Sequence, residues 1–120
     1  PWYMKYEYDW KGKVFFLYLQ EGDFTKLIDL IKEAGTTSIL EEREESIGGV
    51  KFKVFKMEEI GKDKGMYTFS DGKTTISCFR LYGVHASSNE KLNDKWNFNA
   101  YYELCRWFIE NHYLKGSLPA

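Results

Sequence analysis

Hydrophobic and polar positions along the chain follow two periods. At the amino end Met4, Tyr6, Tyr8 and Trp10 alternate with Lys5, Glu7 and Asp9, the period of two that a half-buried strand requires. Gly12 in "KGK" suits a tight turn, and the continuous apolar run "VFFLYLQ" at 14–20 then reads as a central strand covered on both faces. The period changes in "EGDFTKLIDLIKEAG", where Phe24, Leu27, Ile28, Ile31 and Ala34 recur on one side of a helix. Asp23 can accept from the open amides of its first turn, and Gly35 tolerates the left-handed conformation that ends it.

Period two returns in "SILEEREESIGGVKFKVFKM", a hairpin turning at Gly48 and Gly49 with Val50, Phe52 and Val54 on one side and Lys51 and Lys53 on the other. Phe55 alone shares the lysine side. The acidic run at 41–45 is expected as a solvated face, because such a hairpin sets Glu44 opposite Lys53 and the charges need no further ligand. "EEIGKDKG" at 58–65 has no apolar period and reads as a mobile loop. "MYTFSDGKTTISCFRLYG" is a second hairpin, with Asp71 and Gly72 fitting a two-residue primed turn and a second strand running over about 73–84. Ser87 followed by Glu90 fits a capping box for a short helix carrying Leu92 and Trp96, after which Asn97 or Asn99 caps a final helix to about residue 113. These elements predict an α+β fold occupying 1–120 as a single domain. Its antiparallel sheet has five or six strands, covered on one face by two helices plus the short one.

Charge and length remove whole classes of function. The 17 basic and 18 acidic residues nearly cancel, so the basic footprint that neutralises phosphates is absent and no nucleic acid is expected as partner. Strand alternation separates Phe52 from Lys51 and Lys53, so "VKFKVFKM" does not combine base stacking with phosphate contacts. No apolar run nears the ~20 residues of a membrane span and no secretion signal opens the chain, which predicts a cytoplasmic protein with no membrane partner. Cys78 and Cys105 are too few for a disulfide scaffold and are expected as free, buried thiols.

Candidate chemistry is equally sparse. In the last helix Cys105 and His112 share a side, but seven residues separate them by about 10.5 Å along the axis, beyond the reach of a thiol and its base. Tyr101, Leu104, Cys105 and Phe108 form a buried stripe instead. Cys78 and His85, seven apart on a strand, point to opposite faces. His85 remains a possible functional loop residue. No metal-ligand spacing or phosphate-cradling loop occurs, so no catalytic residue, metal or cofactor is assigned. What the composition does carry is aromatic surplus: at 18% Phe, Trp and Tyr, some rings must lie at the surface. Trp2, Trp10 and Trp107 are the candidates for an aromatic binding patch.

Two segments, "VFFLYLQEGDFTKLIDLI" and "YYELCRWFIENHYLKGSLP", resemble the strand-to-helix unit and the closing helix of the effector-binding family typified by gyrase-inhibitory proteins. That resemblance implies an aromatic cleft for lipophilic cations, although no counterpart of the family's pocket glutamate is expected here. The residues themselves favour a non-catalytic, protein-interaction domain of the inhibitor, immunity or adaptor type, using surface aromatics to hold a protein partner. A small lipophilic ligand in an aromatic pocket is the alternative.

Overall fold

A computed structural model describes residues 3–10, 12–60, 64–80 and 95–119. The alternating amino end forms β1 (Tyr3–Trp10), and β2 (Lys13–Glu21) pairs back on it from Tyr3 opposite Gln20 to Trp10 opposite Lys13. Gly12 takes φ 79° in the connection, a conformation that side chains resist. After β2 the chain makes a 3₁₀ turn, Phe24–Lys26, and then helix α1 (Ile28–Ala34). Four strands follow: β3 (Thr37–Ile47), β4 (Val50–Glu59), β5 (Lys64–Ser70) and β6 (Thr74–Arg80). Helix α2 (Lys95–Phe108) closes the fold and widens into a π turn over Ile109–Tyr113.

The sheet is wholly antiparallel, with spatial order β1-β2-β6-β5-β4-β3. The expected α+β class with one antiparallel sheet is therefore what the chain adopts, with six strands. Because β2 and β3 stand far apart in that order, the 3₁₀ turn and α1 cross the sheet between them.

Side-chain alternation assigns every strand residue to a face. Phe15, Leu17 and Leu19 of β2 stand beside Ile76 and Cys78 of β6, then Tyr67 and Phe69 of β5, then Phe52 and Val54 of β4, and all pack under Tyr101, Leu104, Cys105 and Phe108 of α2. Phe55 and Met57 project from the opposite face, where Phe24 and Ile28 cover them. The two helices thus lie on opposite faces, not together on one as the pattern suggested. The reason lies in β4, which is apolar on one side at Val50, Phe52 and Val54 and on the other at Phe55 and Met57; Phe55, the residue that shares the lysine side, demands a cover of its own.

Other expectations are corrected in detail. Asp23 does cap, accepting from the Thr25 amide at 3.0 Å and its hydroxyl at 2.6 Å, but the turn it starts is 3₁₀ and leaves Leu27 50% exposed. Glu58 and Glu59 are not loop residues but extend β4, paired with Gly65 and Lys64. Gly65 lies under the ring of Phe98, and a Cβ there would collide with that ring. In the β5–β6 turn the central pair is Gly72 and Lys73, while Asp71 accepts from the amides of Lys73 and Thr74 at 3.0 and 2.9 Å. Helix α2 has begun by Lys95, so Asn97 and Asn99 lie within it; Asn97 is buried, 3.5 Å from Arg80 Nη1. Residues 81–94, where the short helix was expected, are outside the described residues.

The acidic run proves only partly solvated. Glu44 stands opposite Lys53 as expected, yet Glu45 is 17% exposed and holds Arg43 at 2.8 Å, the Tyr102 hydroxyl at 2.7 Å and Arg106 at 3.4 Å. This knot fastens edge strand β3 to α2. At the other end of α2, Ser117 donates to His112 and Gly116 to Tyr113, with Gly116 at φ 65°, the paired bonds that terminate a helix.

Candidate binding face

The residues of β2 divide sharply. Phe15, Leu17 and Leu19 are sealed beneath α2, whereas Val14, Phe16 and Tyr18 point to the face that carries α1. Helix α1 covers the β3, β4 and β5 side of that face, so among the described residues β2 is covered by a helix on one face and not on both.

On the uncovered part, rings line up across three strands. Tyr3 of β1 meets Tyr18 of β2 edge-on at 6.2 Å, Tyr18 lies 5.3 Å from Phe79 of β6, and Phe79 lies 6.0 Å from Phe16. Lys5 Nζ sits 4.5 Å above the Phe16 ring, so a positive charge borders the row. Tyr3 is 68% exposed and Val14 42%. Next to the row, Thr68 and Ser77 satisfy each other at 2.9 Å, a polar stop between it and the Phe24–Phe55 contact at 5.2 Å beneath the 3₁₀ turn.

Where the row approaches α1 the surface deepens. A cleft of about 370 Å³ opens there, with Phe24, Ile31, Met57, Met66 and Phe79 in its lining together with Glu59 and Arg80. Aromatic rings and thioethers in such a wall adapt to apolar groups of irregular shape.

The residues singled out from sequence lie elsewhere. Trp10 and Trp107 belong to the α2 face, half buried and packed against the main core; Trp107 meets Tyr8 at 5.4 Å and His112 at 5.2 Å. Trp10 Nε1 and the Tyr8 hydroxyl are buried without a hydrogen-bond partner among the described residues. Trp2 and His85 are outside the described residues. Sequence reasoning missed Phe16, Tyr18 and Phe79, and the signal available was that the even positions of "VFFLYLQ" end on tyrosine and glutamine while the odd ones are purely apolar.

Among the described residues, thiol and imidazole stay separated. Cys78 and Cys105 are free, fully buried and in mutual contact, and burial pushes the Cys105 thiol well up, against thiolate formation. His112 is held by Ser117 O at 3.0 Å and stacks beside Phe108. Among the described residues no three His, Cys, Asp or Glu side chains gather as metal ligands would, and no helix is long and apolar enough to cross a membrane.

The fold and its open face thus define a small α+β domain with an aromatic surface. No protein-family model, no curated protein and no solved structure matches the chain.

Proposed function

We propose that the chain is a non-catalytic binding domain that takes a protein partner on the half of the sheet left open by α1. The observation that carries this reading is the row of Tyr3, Tyr18, Phe79 and Phe16, bordered by Lys5, on a face that no described element covers. Large, rigid rings supply anchor energy to a protein interface at small entropic cost, and a flat sheet face offers them together. The near-neutral charge supports a protein partner over a nucleic acid. Two free, buried cysteines support a cytoplasmic location.

Site-specific photocrosslinking tests the reading directly. A benzophenone side chain at position 18 is expected to capture a protein from source cells, whereas the same group at exposed position 103 on α2 is expected to capture none. Equal capture at both, or none at 18, overturns it.

A second reading is a small apolar ligand in the cleft, favoured by its volume of about 370 Å³ and its apolar walls. Native mass spectrometry of the chain purified from its source distinguishes the two, since this reading requires a retained small molecule that Met66→Arg expels.

A further inference from the structure

The two edges of the sheet differ in how they treat another strand. An edge presents unpaired amides and carbonyls that can template a further strand, and proteins blunt it with bulges and charges. Strand β3 carries both defences: a bulge between Ile39 and Glu41, and the sequence Glu41, Glu42, Arg43, Glu44, Glu45, which placed antiparallel against itself sets glutamate opposite glutamate at both flanking positions. Lys32 of α1 further straps Glu42 at 3.3 Å. Strand β1 has no bulge, and its charges Lys5, Glu7 and Asp9 are of mixed sign. It pairs with β2 in unbroken register, and among the described residues no backbone hydrogen bond reaches its outer rim. Among the described residues the carboxyl-terminal segment meets it through the Tyr6 hydroxyl, which donates to Pro119 O at 3.2 Å on the α2 face.

We infer that two copies of this chain join edge to edge through β1, antiparallel about a two-fold axis normal to the sheet at Tyr6, with Lys5 of each opposite Glu7 of the other. Such an axis preserves faces, so only residues on the same face can stand opposite one another and the register moves in steps of two. Charge then selects among the steps. Centring the pair on Lys5 sets lysine against lysine, centring it on Glu7 sets glutamate against glutamate, and centring it on Tyr8 sets Glu7 against Asp9. Centring on Tyr6 alone gives two opposite-charge pairs and no like-charge pair, and on the α2 face it sets Tyr6 against Tyr6 and Met4 against Tyr8, contacts of the kind that stabilise sheets. The result is a continuous twelve-stranded sheet in which both aromatic rows share one face. This inference is independent of what the aromatic row binds.

Analytical ultracentrifugation of the whole chain tests it. The wild type is expected to be a dimer at micromolar concentration. Glu7→Lys and Lys5→Glu, both at exposed positions, are each expected to raise the dissociation constant about tenfold or more while leaving the circular dichroism unchanged. Mixing the two single variants restores every opposite-charge pair and is expected to restore the dimer, as is the double exchange in one chain. A monomeric wild type at hundreds of micromolar, or a dimer that neither single variant weakens, overturns the inference.

Discussion

On the face beneath α2, Phe15, Leu17, Leu19, Phe69, Ile76 and Cys78 have lost all contact with solvent; on the other face of the same strands Phe16, Tyr18 and Phe79 keep part of theirs. The difference follows from what each helix reaches. Helix α2 has 14 residues, about 21 Å of axis, and with its π turn runs along the sheet from Phe98 over Gly65 to Tyr113 beside Asp71, with side chains that reach Tyr6 of β1 on one flank and Glu45 of β3 on the other. Helix α1 has seven residues, about 10 Å, and packs on Phe55 and Met57 of β4. Among the described residues, one face is therefore a sealed core and the other is half core, half surface. A domain of this size gains stability from the first and is free to spend the second on recognition.

The sharpest way to break the comparison is to remove a ring from the sealed face. Phe108, fully buried and 5.3 Å from Tyr6, is expected to cost about 3–5 kcal/mol when replaced by alanine, read from urea unfolding followed by tryptophan fluorescence. A loss under about 1 kcal/mol would mean that the α2 face is no better packed than its opposite. Next in size is Gly65→Ala, which needs no buried group removed. The added methyl meets the Phe98 ring, and displacing that ring from Gly65 is expected to cost about 1–3 kcal/mol by the same measurement.

The sealed face also predicts how stability responds to alkali. Burial, together with its 2.6 Å hydrogen bond to Asp71, pushes the Tyr113 hydroxyl from 10.0 up to about 12, and burial raises Tyr6, Tyr8 and Tyr67 as well. All four belong to the α2 side of the sheet. The unfolded chain releases these protons first, so their contribution is complete below pH 10 and is lost as pH rises toward 12. Unfolding free energy measured at pH 9 and pH 11.5 is expected to fall in the wild type and to fall less in Tyr113→Phe. Equal slopes would remove Tyr113 from the account.

Much of this was legible along the chain, because period two and period 3.6 report which residues share a side. The β3–β4 turn at Gly48 and Gly49, the Asp23 cap, the Cys105 stripe and the opposition of Glu44 and Lys53 all follow from local spacing. Which side of a strand receives a helix does not, since that depends on where the crossover from β2 to β3 passes. Residues 14–20 look equally apolar whether covered once or twice, and only the chemistry of Tyr18 and Gln20 hints at water. Gly65 reads as loop because "EEIGKDKG" has no apolar period; the reason for a glycine there, the ring of Phe98 above it, sits more than thirty residues away in sequence. Glu45 reads as solvated for the same cause, its partners Tyr102 and Arg106 belonging to the far end of the chain.

The smallest stability effect is expected where the binding effect is largest. Tyr18 shares its ring contacts with Tyr3 and Phe79 and no described helix lies above it, so Tyr18→Ser removes little that the fold depends on and is expected to change unfolding free energy by no more than about 1 kcal/mol. If the open face is a recognition surface, the same change removes a central anchor, and a binding hot spot costs on the order of 2 kcal/mol or more, about thirtyfold in affinity. The ratio of the two effects is what separates the faces: Phe108→Ala is expected to weaken binding only by unfolding the domain, Tyr18→Ser to weaken it in a domain that melts normally. Should Tyr18→Ser instead destabilise the chain by 3 kcal/mol or more, the ring would be serving a core on that side as well, and the division between a sealed and a working face would fail.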